Sequence, residues 1–278
     1  MNHKCIFCFT RLFHNLLDKH VEGEAKKLEL TKYFLRYLSN IDTSQPTPVI
    51  ARDIHAILRD ALNNPDPYKK EKEEHNGLIL NVYDYLKERV HNSSNPFKEA
   101  LKLAIAGNIM DFGPSDEFNI METIFQLGDM NIVIDHSTNL KYQIQKAETI
   151  LYIGDNAGEI VFDKLFLETI EHPNVYFAVR GAPVINDVTR KDAKRTGIDE
   201  YAQIIDNGYD APSTILEKSS DEFRQIYQKA DLIISKGQGN YEGLMHQHDK
   251  RIFFLLMVKC QVIGDHLGLN KGDVVIYN

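Results

Sequence analysis

The chain changes rhythm near its middle. Up to about residue 147, nearly every apolar position recurs at helical spacing. In "LELTKYFLRYLSNI", Leu28, Tyr33, Leu35 and Leu38 fall near one another along a helix. "TPVIARDIHAILRDALN" offers Thr47 as a cap, Pro48 in the first turn, and an apolar stripe through Ile50, Ile54, Ile57 and Leu58. "GLILNVYDYLKERV" and "FKEALKLAIAGNIMDF" continue the pattern, while "NPDPYKKEKEEHN" reads as a charged break, an exposed loop or a helix start. From about residue 148 the apolar runs shorten to strand length: "TILYI", "VYFAV", "YAQII", "DLIIS", "RIFFLLM" and "DVVIY". Helical segments such as "GEIVFDKLFLETI" and "SDEFRQIYQKA" separate most of them. The pattern predicts an α/β protein with a mainly parallel, Rossmann-like sheet flanked by helices over 148–278. An all-helical region over 1–147 precedes it and is expected to cover the cleft.

Composition narrows the classes. The 278 residues are 43% hydrophobic and 26% charged, ordinary values for a globular protein. A formal net charge of −8 argues against a non-specific nucleic-acid binder, which needs a basic face to meet phosphates. No apolar run approaches the roughly 20 residues that span a bilayer. "MNHKCIFCFTRLFHNLL" lacks the flanks of a signal peptide and reads as a structural helix, so no membrane association and a cytoplasmic setting are expected. The three cysteines are an odd number, unlike a secreted disulfide framework. Oligomeric state is not legible.

Ligands of parallel sheets sit at the carboxyl ends of strands. There the chain carries "GDNAGE", "RGAPVINDVT", "DNGYDAPST" and "KGQGNYEG". Together these supply Asp155, Asn156, Glu159, Arg180, Asn186, Asp187, Asp206, Asn207 and Lys236. Carboxylates and amide oxygens with one Lys and one Arg suit a hard divalent cation beside a phosphate. Lys236 and loop amides such as that of Gly237 would hold the remaining phosphate oxygens. Each segment alone is also what a helix cap looks like. Recurrence of the same chemistry at four successive strand ends favours a site. "KGQGN" lacks the Walker spacing, so nucleoside triphosphate binding is not indicated.

"GDNAGEIVFD", "VRGAPVINDVT", "SKGQGNYEGL" and the upstream "AIAGNIMDFG" together resemble the damage-control phosphatases, also catalogued as domain of unknown function eighty-nine. With its N-terminal Cys-x-x-Cys the chain is similar to their stand-alone archaeal and bacterial branch. The resemblance implies a metal-dependent phosphatase of small phosphorylated metabolites, either sugar phosphates or phosphopantetheine-type compounds. It implies Asp155, Asn156 and Asp187 as metal ligands, for magnesium, manganese, cobalt or nickel, and it brings Asn108 and Asp111 to the cleft. Lys236 is the expected phosphate clamp and catalytic cation, beside Asp155 and Asn156. Glu159 orients a ligand or water, or merely favours its helix N-terminus. Arg180 binds phosphate or makes a structural salt bridge.

Two routes fit. Either a metal activates water, or Asp155 attacks phosphorus. Haloacid-dehalogenase-type phosphatases, which use the second, place another Asp two residues on, where this chain has Ala157, so the first is favoured. An S-adenosylmethionine-dependent carboxyl methyltransferase and a non-catalytic metabolite-binding module are the alternatives. Cys5, Cys8 and Cys260 supply three of the four ligands a tetrahedral structural metal needs, so free thiols are the expectation and a bound metal the alternative.

Overall fold

The computed structural model describes residues 1–107 and 131–278. Among the described residues six helices come first: α1 His3–His20, α2 Glu24–Ser39, α3 Thr47–Leu62, α4 Lys69–Asn81, α5 Tyr83–Asn92 and α6 Pro96–Ala106. Local chemistry sets their ends. Asn2 caps α1 by accepting from the Lys4 N–H, and Asn95 caps α6 by accepting from Lys98 with Pro96 next. Thr47 is already inside α3, because Pro46 takes the cap position. The charged "KKEKEEHN" stretch opens α4, whose Lys72, His75 and Asn76 are buried.

The α/β part then runs β1 Ile132–Asp135, α7 Ser137–Lys146, β2 Ile150–Ile153, α8 Glu159–Ile170, β3 Val175–Val179, α9 Arg190–Thr196 and β4 Gln203–Asp206. It continues with α10 Asp221–Lys229, β5 Leu232–Lys236, α11 Gly237–Leu244, β6 Ile252–Met257, α12 Gln261–Leu267 and β7 Val274–Tyr277. The strands form one sheet in the order β1-β7-β6-β5-β2-β3-β4. All neighbours pair in parallel except β6 and β7. All six expected runs are strands. The sheet also takes in Ile132–Asp135, so the change of texture comes upstream of the residue 148 at which it was expected.

Central strands β2 and β5 are buried along their whole length, which explains their unbroken apolar runs. One face of the sheet shares a core with α5, α6 and α8 through Leu86, Leu101, Ile105, Ile160 and Phe166. Such a Leu or Ile side chain stabilises the fold by about 1.5–3 kcal/mol when fully buried. The other face packs on α10, α11 and α12 through Phe223, Tyr241 and Ile263. Helices α1, α2 and α3 have a core of their own, with Phe13 stacked on Phe34 at 4.2 Å. The chain leaves β2 in one direction and returns on its other side as β5. Strand order therefore reverses beside β2, at the crevice where open sheets bind ligands. Among the described residues, no helix is long and apolar enough to cross a membrane.

Candidate active site

The corner after β2 is built by close approach. A Cβ on Gly154 would stand 2.8 Å from Phe177 Cζ, so only glycine lets the chain pass there. Gly158, at φ +79°, swings the backbone into α8, and its N–H donates to Asn76 Oδ1 of α4 at 2.7 Å. The turn after β3 closes against this corner. Ala157 N–H donates to Asn186 O and Val188 N–H to Asp155 O, both at 2.9 Å, so Asn156 and Asp187 pair as an isolated antiparallel bridge. Backbone bonding alone thus sets Asp155, Asn156 and Asp187 side by side.

Arg180, at the end of β3, is fully buried between the two acids. Its Nε donates to Asp187 Oδ2 at 2.6 Å, Nη2 to Asp155 Oδ1 at 3.3 Å, and Nη1 to Asn240 Oδ1 at 3.0 Å. Of its two expected roles, the structure gives it the ion pairs. Asn156 Nδ2 donates to Asp155 Oδ2 at 2.7 Å and to Glu159 Oε2 at 3.2 Å. Burial pushes the Asp187 carboxyl up to about 7, against the pull of Arg180 and with the Asp155 charge adding to the rise. Lys259, exposed two residues after β6, also acts on Asp187 with its positive charge.

Lys236 occupies a different place from the phosphate clamp expected of it. It is fully buried, and Nζ donates to Ala104 O at 2.8 Å, Glu159 Oε1 at 2.7 Å and Asp163 Oδ1 at 2.5 Å. Tyr152 donates its hydroxyl to the same Asp163 oxygen at 2.6 Å. Burial drives Asp163 up to about 7, with Lys236 opposing and Glu159 reinforcing. Burial would lower the Lys236 ammonium, but Asp163 and Glu159 outweigh it and hold it above the usual lysine range. Among the described residues, Lys236 therefore reaches the corner through Glu159 and Asn156. Glu159 stands in the first turn of α8 and accepts from the Asn156 side chain. Gly237, at φ +77° and buried, turns β5 into α11. Asn108 and Asp111 lie outside the described residues.

Three residues escaped the sequence reading. Asn240 sits within the quoted "KGQGNYEG", and its Nδ2 donates to Gly154 O and Lys236 O at 3.2 and 2.7 Å. Asn76 hides in a stretch that looked solvated. Lys259 follows the fifth apolar run, one strand beyond the four polar strand ends.

Among the described residues, no three His, Cys, Asp or Glu side chains come together closely enough to hold a metal ion. The corner has two carboxylates, and its third candidate donor is the Asn156 amide. The set is nonetheless chemically fit for a hard cation. Its donors are all oxygen, and two buried carboxylates share a single guanidinium. A pocket of about 580 Å³ opens between α1, the α2–α3 connection and α12, and shares with the corner the Lys259 whose charge acts on Asp187. Cys5, Cys8 and Cys260 all line it, with Gln238 and Lys259. All three thiols are free, and Gln238 Nε2 lies 3.5 Å from Cys260 Sγ.

Residues 1–275 match the damage-control phosphatase ARMT1-like domain. A damage-control phosphatase of Pyrococcus horikoshii is 32% identical over 99% of this chain and 96% of its own. One from Archaeoglobus fulgidus is 33% identical over 87% and 86%. An uncharacterized protein of Methanocaldococcus jannaschii is 34% identical over 98% and 93%. The crystal structure of a duf89 family protein from Pyrococcus horikoshii superposes with a TM-score of 0.93 at 30% identity, covering 100% of this chain and 98% of that one.

Proposed function

The chain belongs to the damage-control phosphatase ARMT1-like family, and on that premise we propose that it is a metal-dependent phosphatase. Its substrates would be phosphomonoesters of small metabolites, sugar phosphates or phosphopantetheine-type compounds. The observation that carries the reading is the pair of buried carboxylates, Asp155 and Asp187, brought together by the Asn156–Asp187 backbone bridge and neutralised by one arginine. Asp155, Asn156 and Asp187 would hold the cation, with magnesium or manganese favoured over cobalt or nickel by the oxygen donors. When bound, it supplies Lewis-acid stabilisation of the phosphoryl group and a more acidic water. Arg180 holds the two acids in register, and Glu159, fixed by Lys236, orients the Asn156 amide. Lys259 is the exposed cation placed to meet phosphate oxygens. The neighbouring pocket would receive the rest of the metabolite.

Water is the favoured nucleophile. Both oxygens of Asp155 are engaged, by Arg180 and by Asn156. Ala157 fills the second position after it, where no acid can protonate a leaving group.

The test is phosphate release from a panel of sugar phosphates and phosphopantetheine compounds, after EDTA treatment and then with each of the four metals. Turnover is expected to return with magnesium or manganese and to vanish in Asp155→Ala. Folded protein without turnover in any metal would sink the reading, and retention of S-adenosylmethionine would then favour methyl transfer.

A further inference from the structure

Among the described residues, four other than glycine have positive φ: Asn63, Glu171, Ile185 and His248. Three of them close helices, where a left-handed cap is ordinary. Ile185 does not. It is the second residue of a turn from Val184 to Asp187, closed by Asp187 N–H donating to Val184 O at 3.0 Å. Positive φ at that position is the habit of Gly, Asn or Asp. A β-branched side chain at φ +44° is strained there, and such strain persists only where the surroundings hold it.

Those surroundings belong to the helical layer. Ile185 packs against the core of α1, α2 and α3. With Pro183 and Val184 it closes a small void against His55, Leu58 and Tyr68. Arg59 of α3 grips the same turn, donating Nη1 to Pro183 O at 3.1 Å. On the other side of Ile185, Asn186 O accepts from Ala157 and Asp187 faces Arg180. One residue thus stands between the helical core and the acidic corner, in a conformation its own side chain disfavours.

We propose that Ile185 is the positioning residue for Asp187: its side chain plugs the turn into the helical layer and so fixes that carboxylate against Asp155. The inference rests on the metal-site reading above. Ile185 acts through Asp187 and touches neither substrate nor cation.

The experiment compares Ile185→Asn, which accepts the left-handed backbone but lacks the apolar anchor, with Ile185→Val, which keeps a branched anchor. Ile185→Ala is expected to fall between them, and it replaces the Asn variant should that one not fold. Manganese affinity is read from the resonance signal of free Mn²⁺. Amide exchange at Ala157 and Val188 is read without metal. Ile185→Asn is expected to bind Mn²⁺ about tenfold more weakly, as loss of outer support for a ligand does. It is also expected to exchange faster at both amides, while Ile185→Val tracks the wild type. A purely structural role would move the melting temperature and leave Mn²⁺ affinity alone. Wild-type affinity and exchange in Ile185→Asn would overturn the proposal, as would an equal loss in Ile185→Val. If the wild type binds Mn²⁺ no better than Asp155→Ala, the metal reading falls. Exchange then decides alone: faster in Ile185→Asn sustains the anchor, unchanged refutes it.

Discussion

Removing the Lys236 ammonium leaves the fully buried Glu159 and Asp163 without their cation, where an uncompensated charge is costly. Lys236→Met is therefore expected to lose about 3–5 kcal/mol of stability, read as a lower urea midpoint. Lys259→Ala should behave in the opposite way. Its side chain is exposed, so the urea midpoint should stay within roughly 0.5 kcal/mol of the wild type. Inhibition by inorganic phosphate should weaken, and a Lys259→Ala protein inhibited as well as the wild type would remove Lys259 from the site. His55 gives a third residue-scale prediction. Burial, helped by Arg59 and His20, holds its imidazole at about 3 against an ordinary 6.5. The unfolded chain takes a proton that the folded one refuses. Stability is then full above pH 6.5 and falls as pH drops towards 3, by about 1 kcal/mol at pH 5.5. Denaturation midpoints at pH 7.5 and 5.5 should lie closer together in His55→Gln.

The β2–α8 corner works as an element because its glycines do what other residues cannot. Gly158→Ala forces a side chain into φ +79° and is expected to cost about 1–2 kcal/mol, with weaker manganese binding because Asn156 shifts. Melting and Mn²⁺ titration check both parts, and an unshifted affinity would mean that the corner tolerates distortion. The corner was legible in the sequence, as were the six apolar runs, those of β2, β3 and β6 because strands inside the sheet are covered on both faces. Strand β1 was not. It is half-exposed on alternate residues, carries Asp135, and owes its pairing to Val274–Tyr277, far along the chain. The helix start at α4 was legible, but its burial was not, for a related reason. Its lysine reads as solvated, yet Lys72 is buried on Asp66 at 2.9 Å, a partner only the fold reveals. Lys236 looked like a free cation for the same reason: its acids, Glu159 and Asp163, lie on α8.

At the scale of the molecule the helical half is not one body. Helices α5 and α6 share the core of the sheet, whereas α1, α2 and α3 keep their own and meet the α/β part at the Ile185 turn, through Val49 against Ala211 and Ile215, and through two arginines. Arg52 and Arg59 both reach Asp210, at 2.5 and 2.7 Å. Amides of α1–α3 are therefore expected to exchange by a partial opening at lower free energy than those of β2 and β5, which wait for global unfolding. Equal protection of both sets would show a single cooperative unit. The sheet order carries a further consequence for how the protein is made. Among the described residues, strand β1 pairs with β7 alone, and β7 also with β6, so a chain growing from the ribosome carries β1 long before that partner exists. The β2–β3–β4 side of the crevice can assemble while β1 waits. Until Val274–Tyr277 has left the ribosome and paired, β6 keeps an open, sticky edge, a natural target for chaperones.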